Sequence, residues 1–236
     1  YREKRLAAEV LDVSLERTAL GRLITARAKM SGKLLLSGPS DTAGLKALID
    51  RLKARGVGTT IVDGALSRLS LASPAVTEAM ILATGAAVAG NIPELVRKTK
   101  YVYELIGIEE IEEALRTRLD PLTQGVWAVS DGGEPIDLEL PSVLMLERSG
   151  ENLFRTQQRE VELIVRDFTR VFASPEAFYA FLRRGHRIRV VHRSRLLAVT
   201  VNPTAPSGLV LDSRRLCEAM QEALQIPVYD VKKMPE

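Results

Sequence analysis

A single cysteine, Cys217, stands in 236 residues, so no internal disulfide can form and no second thiol completes a metal-ligand spacing. That scarcity fits a reducing compartment, and the cytoplasm is the expected location. Cys217 follows Arg214, Arg215 and Leu216 in an amphipathic stretch, which reads as a structural thiol rather than a nucleophile. Only two histidines occur, His186 and His192, and neither has a carboxylate or thiol at ligand spacing, so no metal is assigned to them. Neither charge dominates, since 33 Lys and Arg face 30 Asp and Glu for a net +3, a surplus too small to point to nucleic acid.

Long hydrophobic runs are missing too. The longest uncharged apolar stretch starts at Ala79 and is broken by Gly85, Gly90 and Asn91, which suits a buried strand and loop and not a membrane helix. Glu9 and Asp12 interrupt any signal-like segment after Tyr1-Arg2-Glu3-Lys4-Arg5. The absence of an initiator methionine raises the expectation that the chain begins inside a longer protein. A phosphate-binding P-loop is also lacking, because the Gly32-Lys33 pair is followed by Leu34 and has no glycine at the required spacing ahead of it.

What is present is ordinary for a folded domain: 46% hydrophobic and 27% charged residues, enough to bury a core as one large α/β domain or two modest lobes. Residues 5–13 have helix-like apolar spacing. Alternation from Arg22 to Ala28 reads as a strand, and a turn at Ser31-Gly32 reads as joining it in a hairpin to Lys33-Leu34-Leu35-Leu36. After Ser37-Gly38-Pro39-Ser40-Asp41, the spacing of Leu45, Leu48, Ile49 and Leu52 predicts a helix. Gly56 and Gly58 end it, and Thr59-Thr60-Ile61-Val62 reads as a buried strand closing at Asp63-Gly64. A strand over 79–84 and an amphipathic helix over 93–106 follow. Beyond an acidic helix near 109–120, the prolines and glycines between Pro121 and Pro141 mark an irregular connection over 119–160. A helix over 175–184, strands over 187–191 and 196–201, a loop over 202–208, a helix over 213–224 and a strand over 226–231 complete the chain. Trp127, Phe168, Phe172, Phe178, Tyr179 and Phe181 are expected in the core. The expected fold is α/β, a mostly parallel sheet with helices on both faces, divided into lobes 1–118 and 119–236.

In open parallel sheets ligands bind beyond the carboxyl ends of the strands, where loops converge and helices start. Three loops hold that position. In the first, Gly38 allows close backbone approach, Ser37 and Ser40 offer hydroxyls, and Asp41 either contributes to a ligand or caps the next helix. The second delivers Asp63 to a strand end, as phosphotransfer proteins place a magnesium-binding carboxylate, although acidic residues there also serve as turn formers. Ser67, Arg68, Ser70, Ser73 and Thr84 add phosphate-compatible donors and one cation. In the third, Pro203 and Pro206 stiffen a turn on which Asn202, Thr204 and Ser207 face a polar ligand or merely close the turn. The densest basic run, residues 183–195, reads as a strand with one wet face. Its arginines have no interleaved aromatics for base stacking.

Several of these segments resemble a family. Thr18-Ala19-Leu20-Gly21-Arg22, Ser37-Gly38-Pro39-Ser40, Val62-Asp63-Gly64-Ala65-Leu66-Ser67-Arg68, Ser73-Pro74-Ala75-Val76-Thr77 and Ile81-Leu82-Ala83-Thr84-Gly85-Ala86 are similar to the reactivase-associated subunit of cobalamin-dependent lysine 5,6-aminomutase. Residues 196–203, Pro206-Ser207-Gly208 and Ile226-Pro227-Val228-Tyr229-Asp230-Val231 resemble its C-terminal part, residues 62–74 match most specifically, and 119–160 match least. The resemblance implies a P-loop-NTPase-like core, here without its first strand-loop-helix unit, since the family's Gly-Lys-Thr loop is absent. It implies ATP with magnesium as ligand, Asp63 as the metal-facing carboxylate, and a second reactivase subunit and the aminomutase as partners. The role implied is accessory: helping exchange damaged cobalamin in the mutase. Two alternatives stand beside it: a small ATP-dependent kinase or ligase using the same loops, and a nucleic-acid-binding module built on residues 183–195.

Overall fold

The computed structural model describes residues 7–18, 21–32, 38–39, 41–63, 72–122, 124–129, 134–140, 142–146 and 160–233. The chain divides into two compact units, residues 1–63 and 64–236. The sequence places its boundary at 118/119. In the structure residues 72–118 share a unit and a core with the segments that follow: Leu105, Ile106 and Ile108 pack with Leu163, Phe178 and Val190.

The first unit holds an antiparallel pair, β1 (Ala8–Thr18) and β2 (Gly21–Ala28), and helix α1 (Thr42–Ala54). The helix-like spacing over 5–13 is therefore a strand. Its register explains the misleading period: Val10 faces Ala26 and Val13 faces Ile24, so an extra residue bulges out between Val10 and Asp12 and sets two valines three apart on one face. The partner of β2 is β1; the hairpin expected with residues 33–36 falls outside the described residues. Helix α1 forms as its spacing predicts, with Leu45 and Ile49 buried. Residues 59–62 are not a strand but coil, and Ile61 is 91% exposed. Strand propensity at Thr59-Thr60-Ile61-Val62 is real, yet a strand exists only where a neighbour completes its ladder.

The second unit is α/β with several sheets of mixed pairing. One is wholly parallel, in the order β11 (Val228–Asp230), β10 (Leu196–Asn202), β3 (Met80–Gly85). A second sheet runs β5 (Pro135–Asp137), β4 (Trp127–Val129), β7 (Glu162–Val165), β9 (Arg187–Val190); β4 is antiparallel to both neighbours and β7 is parallel to β9. A short parallel pair joins β6 (Leu144–Met145) to β8 (Val171–Phe172). The antiparallel strands sit in the 119–160 stretch, where dense turn residues break the regular alternation that parallel crossovers need.

Helices α2 (Ile92–Ile106) and α5 (Ser213–Leu224) pack on the parallel sheet: Leu95, Leu216, Met220 and Leu224 bury against Val199 and Val201. Helix α3 (Glu113–Leu119) joins Trp127, Ile164 and Val191 in a smaller cluster, and α4 (Pro175–Arg183) places Phe178 and Phe181 in the largest one. Tyr101, Phe178 and Tyr179 meet edge to face, with ring centroids 5.5 to 6.2 Å apart. Burial and the 2.6 Å hydrogen bond to Glu104 push the Tyr179 phenol up, so it stays protonated as a donor. Of the aromatics expected in the core, Phe172 is the exception, because alternation on β8 turns Val171 inward and Phe172 out. Among the described residues no helix is long and apolar enough to cross a membrane.

Candidate functional site

The three parallel strands end together. Thr84 pairs with Val201, Gly85 with Asn202, and Val201 with Asp230, which aligns the carboxyl ends of β3, β10 and β11 along one edge. Helices α2 and α5 begin from loops leaving that edge. Asn91 caps α2, its Oδ1 accepting from Glu94 N–H at 2.9 Å, and Asp212 caps α5, its Oδ1 accepting from Arg215 N–H at 2.8 Å. Both strand-to-helix connections thus start a helix at the same rim, where each cap takes one first-turn N–H and Pro93 offers none in α2.

Thr84, Asn202, Thr204 and Ser207 all belong to this region. The Thr84 hydroxyl lies 3.0 Å from that of buried Thr99 on α2, tying strand to helix. Asn202 Oδ1 accepts from Thr204 N–H at 3.1 Å, an Asx turn that starts the loop. That loop folds back on itself: Thr204 bridges Val210, and Leu211 N–H donates to Pro203 C=O at 2.9 Å. Ser207 is exposed at its tip, beside Gly208 at φ 88°. Ser73 lies elsewhere. It is 5% exposed and donates to Asp167 Oδ2 at 2.7 Å, a packed contact across the core rather than a group on the rim. Gly38, Asp41 and Asp63 belong to the first unit. Gly38 has open space around it; Asp41 caps α1, accepting from Gly44 N–H at 2.8 Å; Asp63 is exposed at the end of the coil. Ser37, Ser40, Ser67, Arg68 and Ser70 lie outside the described residues.

Asp230, which the sequence reading passes over, stands at the end of β11. It is buried, accepts from the Ser213 hydroxyl at the start of α5, and takes Lys232 N–H at 2.8 Å. Its signal was the one that singled out Asp63, an acid closing an apolar strand. Burial, and Asp230 nearby, push the Cys217 thiol up, so it is a protonated, part-buried group, as its amphipathic setting implies. Among the described residues no three His, Cys, Asp or Glu side chains stand close enough to hold a metal ion.

The basic run divides by role. Ile188 and Val190 are buried on β9 while Arg187 is exposed, and Arg189 pairs with Glu162 at 3.3 Å. His192 Nε2 lies 2.7 Å from Asp120, and Arg166 donates to the carbonyls of Leu119, Asp120 and Leu122 just past α3. The hydrogen bond from His192 holds the Asp120 carboxyl below its usual range. His186 is buried against Phe181, and its Nδ1 accepts from Val161 N–H at 3.1 Å. Burial pulls the His186 pKa below its ordinary value, so the fold favours the neutral ring. Stability tied to that ring is complete above about pH 6.5 and is lost as pH falls through the lowered folded value, because the unfolded chain takes up the proton first. Thermal melts between pH 7.5 and 5 are expected to show a fall in Tm that shrinks in His186→Gln; an unchanged fall would assign the acid sensitivity to other groups.

Comparison with protein-family models, with curated proteins and with solved structures found no match.

Proposed function

We propose that the chain is a nucleotide-linked accessory protein of the reactivase type, serving a cobalamin-dependent aminomutase and built on a P-loop-NTPase-like core whose phosphate loop is not in this chain. One observation carries the reading. Three separated segments that resemble the family, residues 81–86, 196–203 and 226–231, overlap the strands β3, β10 and β11 of a single parallel sheet with their carboxyl ends aligned. Such an edge, with helices starting beside it, is where α/β folds take phosphorylated ligands.

In this reading Asn202, Thr204 and Ser207, on the second unit, line the polar side for the nucleotide, while the magnesium role of Asp63, on the first unit, rests on the resemblance alone. Asp63 is exposed, and a single carboxylate together with nucleotide phosphates is the oxygen set that Mg²⁺ takes. When bound, Mg·ATP supplies the phosphate chemistry; the chain's own residues orient it and couple it to the client enzyme. The experiment is release of inert cobalamin from the aminomutase, followed by its absorbance, with the second reactivase subunit and Mg·ATP present. Release that depends on this chain is expected, slowed by at least about tenfold in Asp63→Ala. Release at the background rate with the intact protein would overturn the reading.

A further inference from the structure

A different surface lies at the opposite, amino-terminal side of the parallel sheet. A groove of about 330 Å³ is lined by Tyr103, Ile106, Gly107, residues 193–196 and Ile226. Its floor is apolar: Ile106 is buried, and Leu196 and Ile226 are partly so. Its charge comes from Arg193 and Arg195, both exposed. The residue between them is not. Ser194 is buried and donates to Ala72 C=O at 3.4 Å, while the arginines on either side of it in this segment both line the groove.

That segment is fixed at both ends. His192 N–H donates to Arg166 C=O at 2.9 Å, and Arg195 C=O accepts from Met80 N–H at 2.9 Å. No acid among the described residues pairs with either arginine, whereas Arg189, Arg166 and Arg116 all have carboxylate partners. The opposing influence is the carbonyl end of α2, a partial negative charge already engaged in part by Gly107 N–H and Ile108 N–H. Two full charges outweigh it.

We propose that this groove binds a small organic anion, with an oxyanion head on the paired guanidiniums and an apolar or aromatic body over Ile106, Leu196 and Ile226. Guanidinium forks suit both carboxylate and phosphate heads, and a volume near the lower end of ligand pockets calls for a compact body. The proposal does not depend on the accessory role, since it uses none of the residues assigned to it.

Calorimetric titration of the whole chain with phenyl phosphate, benzoate and neutral benzyl alcohol tests it. Saturable binding of at least one anion is expected, with benzyl alcohol much weaker; which anion binds identifies the head. Replacing both arginines, Arg193→Ala with Arg195→Ala, is expected to weaken binding by about tenfold or more while the melting temperature holds. Arg187→Ala, exposed on the same basic run but outside the groove, should bind as the parent does. The proposal is overturned if neither anion binds, if the double variant binds as tightly as the parent, or if Arg187→Ala weakens binding equally. A single-stranded oligonucleotide that binds where the small anions do not would assign the arginines to nucleic acid instead.

Discussion

Replacing Gly85 with alanine is expected to destabilise the second unit by about 3 kcal/mol, roughly 6 to 12 °C in Tm for a domain of this size. A Cβ at this position would stand 2.3 Å from Asn202 O, 3.0 Å from its N and 3.1 Å from its C. All three are backbone atoms, so no rotamer change relieves the overlap, and β3 must move away from β10. The movement also strains the 2.9 Å hydrogen bond from Ala86 N–H to Asn202 C=O, which closes the ladder at the rim. Calorimetric melting of Gly85→Ala beside Gly38→Ala, where the added methyl meets open space, isolates the effect. A loss below about 1 kcal/mol would mean the strand ends are looser than the register shows. Because Asn202 starts the loop with Thr204 and Ser207, Gly85→Ala should also weaken any ligand at this rim, beyond what unfolding explains.

The second large effect is expected at Asp167. It is 5% exposed and accepts from the Ser73 hydroxyl at 2.7 Å, from Thr169 N–H at 2.9 Å and from the Thr169 hydroxyl. Asp167→Ala removes the acceptor and leaves those buried donors unmatched, a loss of about 3 kcal/mol. Ser73→Ala deletes one donor and leaves the carboxylate its other partners, so about 1 kcal/mol is expected. A double-mutant cycle by urea denaturation should return a coupling of about 1 kcal/mol or more between positions 73 and 167. Strict additivity would remove the contact as a stabilising one and return Ser73 to the pool of groups available to a ligand.

Legibility of the fold followed the kind of interaction involved. Helices α1, α2, α4 and α5 stand where their spacing placed them, and each carries a side-chain cap at its first turn from Asp41, Asn91, Ser174 or Asp212. These are local devices, written within a few residues of where they act. Pairing is not local. Nothing near residues 8–18 announces that β2 is their partner, and the bulge after Val10 disguises the period. Conversely, Thr59-Thr60-Ile61-Val62 has a strand's composition but pairs with no strand among the described residues. The strand-end positions of Asn202 and Thr84 were legible because a strand end can be read from one segment. The partnership of Ser73 with Asp167, 94 positions away, and of Ser213 with Asp230 required the folded chain.

The parallel sheet also dictates an order of events. Leu82 pairs with Val199, and Val199 with Val228, so β3 waits for most of the chain before its ladder can close. During synthesis β3 would emerge long before β10, its backbone donors and the apolar Ile81 and Leu82 still unpaired. Closing so wide a loop is slow, which places the sheet among the last elements to consolidate and makes its strand edges the surfaces through which a nascent chain would misassociate.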